Sequence, residues 1–225
     1  YALLKNTDGK YFTVEEYKEK VSPIQTDKDE KVVCLYTNDT EAHYSYVKAA
    51  KERGYDVLEL GGPLSSHWIS KIEQSNEKLT FTRVDADTLD KLIKKTDEIP
   101  SKLSKDEEEK LKEIFEDCVN KEKYTIQFES LSEEEGPVLV TQPEFMRRMM
   151  EQQKLGGGGM MGAFPEMYNM VVNSNHPNVK AVLSKRGKNK KNTAKTMTDL
   201  ALLANGMLKG QELSKFIERT GGLLN

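Results

Sequence analysis

Between Lys31 and Leu60 the chain reads strand, helix, strand, and this order limits the possible folds more than any other feature. Lys31-Val32-Val33-Cys34-Leu35-Tyr36 is a short apolar, β-branched run that ends in Thr37-Asn38-Asp39-Thr40, a turn or helix-cap cluster. Glu41 to Arg53 reads as a helix with Ala42, Tyr46, Ala49 and Ala50 on one side, stopped at Gly54. Asp56-Val57-Leu58-Glu59-Leu60 is the return strand, closed by Gly61-Gly62-Pro63. Two strands joined through a helix in so short a span must run parallel, with a right-handed crossover.

A short helix over Ser66 to Gln74 follows, carrying the only tryptophan, Trp68, and then an alternating strand from Leu79 to Val84. The charged stretch from Asp85 to Lys105, with Pro100, marks a domain boundary near residue 100, giving domains of 1–100 and 101–225. The second domain opens at Ser104-Lys105-Asp106-Glu107, a cap with an acidic first turn, and the helix places Leu111, Ile114, Phe115, Cys118 and Val119 on one stripe. Strands at Tyr124–Phe128 and Val138–Val140 flank an acidic turn. A helix runs from Pro143 to Leu155, a strand from Met167 to Val172, and Asn173-Ser174-Asn175-His176-Pro177 turns into a short helix. Helices over Asn192–Leu208 and Gln211–Thr220 complete the chain. The fold class expected is α/β plus α+β: a small βαβ sandwich subdomain, then a mixed sheet-and-helix domain ending in a helix hairpin.

Composition removes several functions. No apolar run approaches the roughly 18 residues of a membrane span. Cys34 and Cys118 are too few for a disulfide framework and read as buried thiols of a reducing compartment. His43, His67 and His176 are far apart and lack paired cysteines, so no metal centre is expected. The net charge of −3 is little segregated, so neither half is a nucleic-acid module. The local exception, Lys180 to Lys191, reads as a solvated face or a weak phosphate or partner patch. Gly156-Gly157-Gly158-Gly159 lacks the Lys-Ser/Thr of a Walker loop, and no glycine fingerprint follows the first βαβ strand. No catalytic constellation can be assembled from the scattered histidines. The chain opens on Tyr1 without a signal or lipidation motif, so a cytoplasmic chain lacking its upstream part is expected.

Two apolar concentrations remain. Seven of the nine methionines, Met146, Met149, Met150, Met160, Met161, Met167 and Met170, fall within 25 residues together with Phe145 and Phe164. They either fill an irregular core or form an adaptable surface for apolar shapes, and the adjoining glycines favour the surface. Trp68 has the same two readings, partly buried packing or a contact for an apolar partner. At the tail, Leu200, Leu202, Leu203, Met207 and Leu208 make one helix apolar over most of its circumference, and Leu213, Phe216 and Ile217 stripe the next. Burial against its own domain competes here with a four-helix bundle formed by two copies.

The order of these segments resembles the ninety-kilodalton heat-shock chaperones, in their bacterial form. The resemblance rests on Thr7-Asp8-Gly9-Lys10-Tyr11-Phe12-Thr13-Val14-Glu15-Glu16-Tyr17, the Val33–Tyr36 strand, the Gly54-Tyr55-Asp56-Val57-Leu58 return, the Trp68 helix and the Asn173–Pro177 turn. It covers the whole chain and implies the end of a middle domain followed by a C-terminal dimerisation domain. It implies client-protein contact at Trp68, Phe145, Met146, Met149, Met150, Met160, Met161 and Phe164. Dimer contact is implied at Leu200, Leu202, Leu203, Met207, Leu208, Leu213, Phe216 and Ile217. His67 stands where the family commonly has an acid. ATP and magnesium are implied only for an N-terminal domain absent here, so no catalytic residue, cofactor or metal is expected in this chain. The partners implied are a second copy, unfolded clients and the DnaK-type chaperone system, with no nucleic acid and no membrane. The alternative is a small nucleotide- or metabolite-binding α/β enzyme built on residues 31–84.

Overall fold

The computed structural model of the chain describes residues 3–62, 64–94, 99–155 and 166–221, with side chains in all of these except 152–155. Met160, Met161, Phe164 and the glycine run 156–159 lie outside the described residues. In chain order the elements are β1 (Leu4–Lys5), β2 (Tyr11–Phe12), α1 (Val14–Val21), β3 (Val32–Thr37), α2 (Tyr44–Glu52), β4 (Val57–Glu59), α3 (Ser65–Ser75), β5 (Leu79–Arg83), α4 (Leu89–Leu92) and α5 (Lys105–Glu116). There follow β6 (Tyr124–Glu129), β7 (Val138–Thr141), α6 (Glu144–Leu155), β8 (Tyr168–Asn173), α7 (Pro177–Ser184), α8 (Lys188–Ala204) and α9 (Gly210–Gly221). The chain forms two compact units, Tyr1–Asp97 with Gln142–Phe164, and Glu98–Thr141 with Pro165–Asn225.

The first unit is built on a parallel sheet of order β4-β3-β5, with Leu35 opposite Val57 and Cys34 opposite Phe81. All six residues of β3 are buried, as a parallel strand covered on both faces requires. Tyr17 and Val21 of α1 and Ile69 of α3 pack on Cys34, Tyr36 and Phe81. On the other face Val47 and Ala50 of α2 and Leu89 and Leu92 of α4 cover Val33, Leu35 and Val57. The strand–helix–strand order read from 31–60 is therefore present. Its helix begins at Tyr44 rather than Glu41 because Asp39 Oδ1 accepts the N–H groups of Glu41 (3.0 Å) and Ala42 (2.9 Å), holding those residues in a turn. The helix α1 starts on a capping box: Thr13 Oγ1 accepts the Glu16 N–H at 3.2 Å, and Glu16 Oε2 accepts the Thr13 N–H at 2.8 Å.

In the second unit β8 is central, parallel to β6 and antiparallel to β7. Leu111 and Phe115 of α5, Val179 and Val182 of α7, and Ala194, Met197 and Ala201 of α8 share one core with Ile126, Val140, Met170 and Val172 of the sheet. The cap expected at Ser104 is formed, with Glu107 as its reciprocal acceptor at 2.9 Å. The Asn173–Pro177 turn acts as a rivet. Asn173 Oδ1 accepts from Leu131 (3.3 Å) and Asn175 (3.0 Å), while Asn175 takes the Lys102 N–H at 2.8 Å and donates to the carbonyls of Pro100 and Leu131.

Both thiols are buried, and burial pushes Cys34 up to about 12 and Cys118 up to about 11. Among the described residues no helix is long and apolar enough to cross a membrane.

Candidate functional site

The helix expected over Pro143–Leu155 is α6, and its amphipathicity is inverted. Glu144, Arg147, Arg148 and Glu151 recur at helical spacing and all turn inward on the first unit. Arg147 is buried 5.6 Å over the Tyr36 ring and pairs with Glu144, Glu151 and the Tyr36 hydroxyl. Arg148 bonds Glu144 (2.7 Å), Glu73 of α3 (2.7 Å) and the Phe81 carbonyl of β5. Glu151 reaches Ser66 of α3. Burial pushes the Glu144 carboxyl up, but Arg147 and Arg148 outweigh it and hold it below the usual carboxylate range.

With the charges turned inward, Phe145 faces out. Phe145 is 74% exposed, Met146 and Met149 are half-buried, and Met150 is buried. Phe145 and Met149, one turn apart, share the outward face. Trp68 on α3 is half-buried and stacks edge-on against Phe81 at 5.9 Å. The ion-paired face was not read from the sequence, although Glu144, Arg147, Arg148 and Glu151 at i, i+3, i+4 and i+7 carry its signal.

The tail helices divide the residues assigned to a partner. Leu202, Leu208 and Phe216 are buried in the second unit's own core, with Met207 and Leu213 packed against it, so these five support the hairpin from within. Leu200 (48%), Leu203 (40%) and Ile217 (59%) remain exposed. A buried ion cluster ties α9 to α8: Asp199, 1% exposed, accepts from Lys195 at 2.7 Å and Arg219 at 2.5 Å. The basic run ends on α8, where Lys191 pairs with Asp117 at 3.1 Å. Lys185 and Arg186 line an open groove with Asn189, Thr193, Leu200 and Arg219.

At the carboxyl ends of β3 and β5, where doubly wound sheets take ligands, the first unit is filled by its own side chains. Arg83 forks onto Asp85 and donates to Gln142 at 3.0 Å, and the Gln142 N–H donates to the Asp85 carbonyl at 2.9 Å. His43 Nδ1 lies 2.9 Å from Thr37 Oγ1, and its Nε2 lies 3.5 Å from Asp85. Burial pulls the His43 pKa below its ordinary 6.5 despite Asp85. The unfolded chain therefore takes up a proton that the folded chain refuses, and stability falls as pH drops from 6.5 toward the folded value. Urea titrations at stepped pH should show this loss, and His43→Gln should flatten it; an unchanged pH slope would remove the assignment.

Comparison with known proteins gives one consistent result. The sequence model of the Hsp90 protein family matches residues 4–224. The chain is 40% identical over 188 residues to the chaperone protein HtpG of Bacteroides fragilis strain YCH46, covering 82% of this chain and 28% of that protein. It is 39% identical to HtpG of Porphyromonas gingivalis strain W83, covering 98% of this chain and 32% of that protein. A second P. gingivalis HtpG, from strain ATCC 33277, is 42% identical over 188 residues, or 82% of this chain and 28% of its own length. The chain thus spans about a third or less of the relatives it matches.

Proposed function

The chain belongs to the Hsp90 family, and from that premise we propose that residues 1–225 are the dimerising and client-binding portion of an ATP-dependent chaperone that assists protein folding in the cytoplasm. The ATP and magnesium chemistry belongs, in this reading, to parts of the longer protein outside this chain. Working with a DnaK-type system belongs to the same proposal.

The observation that carries the reading is the outward apolar face of α6. A helix that turns its charges inward and leaves Phe145 74% exposed, with Met149 half-buried beside it, is arranged for an apolar partner rather than for its own core. Methionine suits clients of varied shape because its unbranched, polarisable side chain repacks readily. Trp68 adds a second contact, with one flank packed on Phe81. Met160, Met161 and Phe164 are assigned to the same surface by family position alone. Dimerisation falls to Leu200, Leu203 and Ile217, the exposed part of a hairpin whose inner residues are already used.

One experiment tests both halves. Phe145→Ser with Met149→Ser should weaken binding of a reduced, unfolded model polypeptide by about ten-fold or more, since burying such side chains is worth ~1.5–3 kcal/mol each. Leu200→Glu with Ile217→Glu should convert a sedimenting dimer to a monomer. Full client binding by the first variant, or a dimer persisting in the second, would overturn the corresponding half. A cooperative loss of stability in the first would mark those residues as core.

A further inference from the structure

We propose that the outer edge of β5 is a docking strand for an extended polypeptide, and that α6 is its removable cover. The proposal deepens the client-binding reading and rests on it for the identity of the occupant.

The strand β5 is at the edge of its sheet. Its Lys78 and Val84 flanks bond toward β3, so the backbone groups of Thr80 and Thr82 also face β3, while those of Phe81 and Arg83 point outward. Side chains satisfy these outward groups. The Phe81 N–H donates to Glu73 Oε1 at 2.7 Å, the Phe81 carbonyl accepts from Arg148, and the Arg83 N–H donates to Glu144 Oε2 at 3.2 Å. Acceptor, donor and acceptor therefore stand along the edge at a two-residue interval, which is the pattern a neighbouring strand would supply. Glu73 and Arg148 hold each other as well, so the pair that covers Phe81 is one unit.

Two observations make the cover removable. First, apart from Met150 and the packing of Arg147 on the Tyr36 ring, the described contacts that α6 makes inward are ion pairs and hydrogen bonds, so release returns its charges to water together. Second, α6 belongs to the first unit, but the chain enters it from β7 and leaves it toward β8. The edge itself, Leu79-Thr80-Phe81-Thr82-Arg83, is β-branched and aromatic, carries no proline and has no bulge in its register with β3. Such an edge needs a cover, and here the cover is held by hydrogen bonds that another backbone can replace.

The test uses the 225-residue chain and two short peptides of alternating valine and threonine, one N-methylated at alternate residues so that it cannot form a ladder. Arg148→Ala with Glu144→Ala opens the cover. Amide exchange at Arg83, whose N–H is held by Glu144 of α6, should then speed up about ten-fold, and by more than at Phe81, whose N–H is held by Glu73 of α3. The unmodified peptide should bind about ten-fold tighter than to the unaltered chain, and the methylated peptide should gain nothing. In a second variant, Ser66→Cys with Glu151→Cys, oxidation should lock α6 down and abolish binding of the unmodified peptide, and reduction should restore it. This variant keeps the test alive if the first fails to fold. Equal gain by both peptides, unchanged amide exchange in the opened variant, or undiminished binding in the locked one would overturn the proposal. If opening and locking have no effect while Phe145→Ser with Met149→Ser still weakens client binding about ten-fold or more, the edge is refuted and the proposed client-binding function stands.

Discussion

Arg147→Ala will cost the first unit about 3 kcal/mol and release α6 from it. Arg147 is buried against Tyr36 and is the shared partner of Glu144 and Glu151. Its removal leaves two acids facing each other with Arg148 as the remaining neutralising charge, and it empties the space over the Tyr36 ring. An ion pair of this kind is worth little against an apolar replacement, yet breaking one side of it strands a charge in a poorly solvated place. The loss should appear in urea unfolding and as rapid amide exchange along α6. Adding Glu151→Gln should return part of it, because one of the stranded acids goes too. The acid limb should change as well. Glu144 is held below the usual range, so its contribution is present at neutral pH and lost as pH falls through its folded value, below 4.5. Without Arg147 that depression shrinks, and acid unfolding should begin at higher pH. A variant with native exchange along α6 would show that the helix is held by something other than this cluster.

The second large effect is expected at the tail. Arg219→Ala should cost the second unit about 3 kcal/mol, because it leaves Asp199 buried with Lys195 as its one remaining cation among the described contacts. Arg219 also donates to Thr196 at 3.1 Å, so the loss removes two links between α9 and α8. In an Asp199→Ala background the same substitution should cost only about 1 kcal/mol, a coupling that identifies the pair rather than general damage. In the dimer proposed above, dissociation should rise alongside, since Ile217 of α9 is then no longer held beside α8. Additive losses in the double-mutant cycle would mean that the two residues act separately.

The parts legible in the sequence are those in which burial is apolar. The Val32–Tyr36 run, the Phe115 stripe and the Val138 and Val172 strands all pack as their pattern requires. The hairpin at the tail was legible as apolar, but not the division between Leu202, Leu208 and Phe216 inside and Leu200, Leu203 and Ile217 outside. Both sets are large apolar residues, and only the position of α5 and the sheet separates them. The start of α8 at Lys188 was missed because its first turn, Lys-Asn-Lys-Lys, has no apolar period and its cap is Gly187 at φ 54°. The passage of α6 into the first unit was not read either. Hydrophobic periodicity points a helix's greasy side inward, whereas here carboxylates and guanidiniums make the contact and the pattern reads inside out.

The placing of sulfur in this chain decides how it meets oxidants. Its two thiols are sealed away and kept protonated, so peroxide finds no thiolate to attack. Among the described residues the accessible sulfurs are the thioethers of Met146, Met149 and Met167, outside the cores. Conversion of these to sulfoxides leaves the hydrophobic interior untouched while making the outer side of α6 polar, and a reductase can reverse it. Oxidative damage is thereby directed to the part of the chain that can be repaired without refolding.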